Sequence, residues 1–236
     1  MYWEYYLMGI ILLPGIIFAL IAQAKVNTNY KKYSQVFSKR GMKAHEVARL
    51  ILDSAGLNHV GISRVSGELT DYYDPTKQMI ALSDDVYNST SVAAIGVATH
   101  EVGHALQYAK NYAPVKIRMA MVKVSNISSA LLWPLVIVGL ILNLGVGTVF
   151  GNICLWSGVI IFGLSVIFNL ITLPVEYDAS NRAKNILTNA EILDSNEMVG
   201  VNKVLNSAAL TYVAALVVSM LNLLRFLLVM LSNRRD

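Results

Sequence analysis

Charge is what this sequence has least of. Lysine, arginine, aspartate and glutamate supply 14% of its 236 residues, while hydrophobic residues supply 55%. A soluble domain carries about a quarter charged residues, so the shortfall points to a bilayer. The net charge of +4 is modest, and the basic residues gather beside apolar segments. That distribution fits the inner leaflet of a membrane and argues against nucleic acid. Cys154 is the single cysteine and sits in an apolar run, which excludes an intrachain disulfide and is compatible with polar regions on a reducing, cytosolic side. A basic leader is missing too, since Glu4 is the only early charge. The apolar run Leu7–Ala24 is long for a signal core and is followed by lysines, so an uncleaved anchor is expected. No repeat or low-complexity tract is present.

Long apolar runs are what the chain does have. Four are expected to cross the bilayer, which takes about 20 residues each: Leu7–Ala24, roughly Ile127–Leu144, Val149–Pro174 and Ala208–Leu231. The middle two, joined through Gly145 and Gly147, should form a tight helical hairpin. Arg225 lies near the far end of the last run, where it can snorkel. Orientation follows from lysine and arginine. Lys25, Lys31, Lys32, Lys39, Arg40 and Lys43 fall between the first two runs, whereas the hairpin loop has no basic residue. Five segments are therefore expected: an anchor over 1–24, a cytoplasmic catalytic region over 25–123, a hairpin over 124–174, a cytoplasmic return over 175–207 and a last span with its tail over 208–236.

The polar region reads as an α+β unit, so the whole is a mostly α membrane protein carrying a small β-sheet. Met42–Ala55 has helical spacing, with Val47, Leu50, Ile51 and Ala55 on one side and Gly56 as a stop. His59–Val65 and Gln78–Ser83 have β-branched content, with Asp74-Pro75 marking a turn between them. Ser91–Gln107 is an apolar helix, closed off by Pro114. His45 is expected to face solvent.

The apolar helix carries the chemistry. His100-Glu101-Val102-Gly103-His104 fits H-E-x-x-H, and residues four apart on a helix share a face, so both imidazoles can reach one ion. Glu101 can act as general base on water activated by zinc. Two of only four histidines fall in this motif, and a polar triplet in an apolar helix costs folding energy unless something pairs with it. A catalytic zinc needs a third protein ligand. Glu176, just past the third run, and its neighbour Asp178 are the candidates. An oxyanion stabiliser is expected among Tyr72, Tyr73, His59, Arg182 and Tyr212. The Gln78–Ser83 strand, centred on Ile80, is expected either to be an edge that pairs with extended substrate or to serve in ordinary sheet packing.

The run DYYDPTKQMIALSDDVYNSTSVAAIGVATHEVGHALQ, followed downstream by LPVEYDASNRA, resembles the bacterial YugP-like neutral zinc metallopeptidases over nearly the whole chain. The resemblance implies a plasma-membrane peptidase with one zinc per chain, held by His100, His104 and Glu176 in a gluzincin-type site similar to that of HtpX-type membrane peptidases. Those relatives place an aspartate four residues after the third ligand to orient a zinc-bound histidine. Here that position is Ser180, and Asp178 is the nearest acidic alternative. The partners implied are a peptide or membrane-protein substrate, the lipid bilayer, and membrane-protein partners or further copies of the chain.

Two other readings are weaker. A site-2-type intramembrane protease takes an aspartate from a later apolar helix, and the last two runs contain none. A catalytically silent zinc-binding membrane scaffold would have no use for Glu101 beside His100.

Overall fold

The computed structural model of the chain describes residues 9–143 and 148–232. The element order is α1 (Leu13–Tyr33), α2 (Ala44–Ser54), β1 (Gly61–Val65), β2 (Tyr72–Asp74), β3 (Met79–Ser83), α3 (Asp84–Tyr87), α4 (Val92–Ala109), α5 (Ala113–Asn143), α6 (Val149–Asn189) and α7 (Ser195–Ser232). Two compact units result, one formed by 1–21, 117–173 and 211–236, the other by 22–116 and 174–210.

The first unit is built from apolar helix. Among the described residues three helices are long and apolar enough to cross a membrane: Ala113–Asn143, Val149–Asn189 and Ser195–Leu231. Their surfaces expose Ile127, Trp133, Ile141, Phe150, Ile153 and Ile160. Apolar side chains exposed in such numbers are accounted for by lipid. Small residues let these helices approach closely: a Cβ on Gly139 would lie 2.8 Å from Leu155, and one on Gly158 would lie 3.0 Å from Phe226. The first expected run, Leu7–Ala24, lies partly outside the described residues, and its described part enters α1. The hairpin loop around Gly145 and Gly147 lies outside them as well.

The second unit holds a three-stranded sheet in the order β1-β3-β2. β1 runs parallel to β3, with Ile62 opposite Ile80, and β2 runs antiparallel to it, with Tyr73 opposite Ile80. The β2–β3 turn forms at Asp74-Pro75, where the Asp74 carboxylate accepts from the Thr76 and Lys77 amides at 2.8 and 3.1 Å. Its own side chain thereby supplies the acceptor the turn needs. α2 ends beside Gly56, whose φ of +73° is the left-handed conformation that glycine adopts without strain. Val47, Ala48, Ile51 and Leu52 of α2 pack with Ile80 and Leu82 of β3, and with Ile95, Ala98 and Val102 of α4, in one buried cluster.

Several expectations are corrected here. β3 is the middle strand and not an edge, because a parallel partner and an antiparallel partner flank it. Ile80 is fully buried in the core, so neither its backbone nor its side chain offers an open edge. The edges are β1 and the short β2. Pro114 opens a helix instead of closing a region: it sits in the first turn of α5, where proline's missing N–H costs nothing. His45 is half-buried, stacked on Tyr87 with ring centroids 4.3 Å apart, and its Nδ1 lies 2.7 Å from the Tyr87 carbonyl.

Candidate metal centre

α4 is the helix that carries the motif. Ser91 caps it, its hydroxyl accepting from the Ala94 amide at 3.2 Å, which satisfies one of the free N–H groups of a helix start. Nearly every residue from Val92 to Gln107 is buried. Within that interior, His100 and His104 are the partly accessible positions of the motif, with side-chain exposures of 15% and 12%. Their ring centroids lie 4.7 Å apart and the planes are close to perpendicular at 84°.

α6 brings the third donor. Val175, Ala179, Ala183 and Leu187 are fully buried, and their four-residue spacing makes a stripe that faces the core. Glu176 and Ser180 follow that stripe one residue on and are buried as well. The small residues matter for the approach of the two helices. A Cβ on Gly103 would lie 2.5 Å from the Ala179 carbonyl oxygen, 3.1 Å from its carbon and 3.2 Å from the Ala179 Cα. No side chain fits between the α4 and α6 backbones there, and this close approach carries Glu176 to the histidines. Glu176 Oε2 is 3.3 Å from His100 Nε2 and 3.5 Å from His104 Nε2.

The residues present fit a metal. One donor atom from each of His100, His104 and Glu176 falls within 4.8 Å of the others, and three nitrogen and oxygen ligands of this kind suit a catalytic zinc with an open fourth position. The other nitrogens of the two rings are also engaged. His100 Nδ1 meets the Ser180 hydroxyl at 3.1 Å, and His104 Nδ1 meets Gln107 Oε1 at 3.0 Å. Metal-binding histidines commonly have their second nitrogen held in this way. Burial pushes the Glu101 carboxyl above the ordinary glutamate range. His100 and His104 oppose that shift, and the negative charges of Glu176 and Asp71 add to it.

The remaining candidates are distributed as follows. Asp178 does not face the imidazoles; its Oδ2 accepts from Gln107 Nε2 at 2.8 Å and from Arg182 Nε at 2.6 Å. Arg182 lies over the Tyr112 ring, 5.8 Å from its centroid. Tyr73, on the β2 edge, is tilted against Tyr108 of α4 at 5.6 Å, and Tyr72 is exposed. His59 is exposed in the turn before β1, and Tyr212 lies on α7 in the other compact unit. Two residues escaped the sequence reading. Gln107 is fully buried beside His104, and its signal was a polar residue one turn past the motif on an apolar helix. Asp71 is half-buried, its carboxylate accepting from the Ser83 amide at 2.8 Å. Burial pushes its carboxyl up, against the pull of the Ser83 hydrogen bonds. Nothing in the local spacing marked it.

Comparison with known proteins gives this geometry a family. The model of the "Putative neutral zinc metallopeptidase" family matches residues 8–231. The chain belongs to the neutral zinc metallopeptidase family. A family relative from Bacillus subtilis (strain 168), the "Putative membrane protease YugP", is 46% identical over 216 residues, covering 91% of this chain and 92% of its own length. No solved structure matches the chain. Family membership implies zinc, and His100, His104 and Glu176 are a donor set that could hold such an ion.

Proposed function

We propose that the chain is a membrane metalloendopeptidase with a gluzincin-type site. It hydrolyses peptide bonds with His100, His104 and Glu176 holding one zinc and Glu101 acting as general base. The observation that carries this reading is the convergence of both Nε2 atoms on Glu176 Oε2, at 3.3 and 3.5 Å, one residue away from a buried glutamate. Zinc held there supplies Lewis acidity, which makes water nucleophilic near neutral pH and polarises a carbonyl. Glu101 takes the proton of the attacking water and returns it to the leaving amine. The substrate strand has an open sheet edge at β2, next to α4 through the Tyr73–Tyr108 contact, where main-chain pairing makes few side-chain demands.

The three apolar helices and the membrane-protease relative support action at a bilayer. The substrates proposed are membrane proteins or their exposed tails, cut at the cytoplasmic face of the bacterial plasma membrane, with Leu7–Ala24 as a fourth span. The test is Glu101→Gln assayed on an unstructured peptide or membrane-protein tail. Hydrolysis should fall by at least about 100-fold, as expected for loss of a general base, while zinc content stays at the wild-type level. Unchanged turnover in that variant would remove Glu101 from the mechanism.

A further inference from the structure

We propose that Gln107 is a positioning residue that fixes the protonated nitrogen of His104, and that Asp178 and Arg182 hold the Gln107 amide in the one orientation able to do this. The proposal deepens the zinc-site reading and rests on it for its consequence in metal binding.

The argument is an inventory of donors and acceptors. The Gln107 side chain is fully buried and has one carbonyl oxygen and one NH2 group to place. Its Nε2 lies 2.7 Å from the Val175 carbonyl oxygen and 2.8 Å from Asp178 Oδ2. A backbone carbonyl can only accept, and so can a carboxylate oxygen already receiving Arg182 Nε at 2.6 Å. Both protons of the amide therefore have a partner in this orientation. Turned over, the amide would set its own oxygen against two acceptors and its NH2 group away from both, which costs a fully buried amide its hydrogen bonds. Oε1 is thus committed to His104 Nδ1, at 3.0 Å. Oε1 has no proton to give, so this contact calls for one on Nδ1. Nε2 faces a second acceptor, Glu176 Oε2, at the longer distance of 3.5 Å. The closer Gln107 contact, at 3.0 Å, holds the single proton of a neutral His104 on Nδ1 and leaves the lone pair on Nε2.

His100 is held differently. Its Nδ1 meets the Ser180 hydroxyl, which can donate or accept, and so selects no tautomer. Acidic support therefore reaches His104, from Asp178 by way of an amide. A role limited to tying α4 to α6 accounts for both bonds from Gln107 Nε2, since Val175 and Asp178 lie on α6, but not for the carbonyl oxygen turned to His104.

The test has a metal-free and a metal-bound part. With 15N-labelled histidine, the purified protein stripped of zinc is examined at a pH where the imidazoles are neutral, using long-range 1H–15N correlations, with His104→Asn to assign the signal. His104 should carry its proton on Nδ1 in the wild type. In Gln107→Met the proton should move to Nε2, while His100 is unaffected. Zinc competition with a chromophoric chelator should then show Gln107→Met weakened by about 10- to 100-fold and Ser180→Ala weakened less. A neutral His104 protonated on Nε2 in the wild type overturns the proposal. So does a Gln107→Met protein that melts lower yet keeps both the tautomer and the zinc affinity, because that is the behaviour of a merely structural tie. If the wild type takes up no zinc, the zinc-site reading fails, and the tautomer measurement still decides the role of Gln107.

Discussion

Gly103→Ala is the substitution that most directly probes how the fold builds its metal centre. The added Cβ would meet the Ala179 carbonyl oxygen at 2.5 Å, with the Ala179 carbon and Cα at 3.1 and 3.2 Å. All three are backbone atoms of a helix, so no side chain can swing aside. A carbon–oxygen contact of this kind normally lies at about 3.3 Å, and relieving the clash means moving α6 away from α4 by about 0.8 Å. Glu176, less than one turn before Ala179, moves with it. Metal–ligand distances tolerate about 0.2 Å, so the displacement exceeds what the site can absorb. Overpacking of this type costs about 1–3 kcal/mol, which corresponds to zinc affinity weaker by about 5- to 150-fold if the strain is released by giving up the Glu176 ligand. The assay is chelator competition on the purified protein, paired with peptide hydrolysis and a thermal melt. Gly163→Ala is the control, since a Cβ there meets nothing within 4 Å. A folded Gly103→Ala protein with wild-type zinc affinity and turnover would refute the claim that this close approach sets the site.

Two further outcomes follow from the site and the chain's charge pattern. Burial raises the Glu101 carboxyl, so folding of the metal-free protein favours its protonated form. Stability from this group is full below the ordinary glutamate range and is lost as pH rises through the window up to the raised value. Stripped of zinc, Glu101→Gln should therefore melt above the wild type at neutral pH, with the gap closing below about pH 4; an equal melt at both pH values would contradict the burial argument. Protease protection in sealed inside-in vesicles should leave the region 25–123 intact, and its digestion from the outer face would reverse the orientation drawn from the basic residues.

Much of this was legible in the sequence because it depends on local spacing. The four-residue separation of His100 and His104 places them on one helical face whatever the rest of the fold does. Gly56 stops α2 and Asp74 nucleates its turn for reasons contained in a few residues. The errors came where long-range pairing decides. A strand's alternation cannot say whether it has one neighbour or two, and the parallel pairing of β1 with β3 buries Ile80 in the middle of a sheet that looked open at that strand. Pro114 reads as a stop only if the next residues are not helical; fixed at the first turn of α5 it is a start. Gln107 could have been suspected as a buried amide one turn past His104. Its partners Val175 and Asp178 lie some 70 residues away, and only the packing of α6 on α4 reveals them.

The metal content of the detergent-purified protein tests the central claim most directly, with the wild type measured beside His100→Ala/His104→Ala and Glu176→Ala. The account predicts about one zinc per chain in the wild type, as a single three-ligand site requires. It predicts none in the double variant and a weakly held ion in Glu176→Ala. A carefully prepared wild type that contains no zinc and takes none up on addition, or a Glu176→Ala protein that holds zinc as tightly as the wild type, would contradict it.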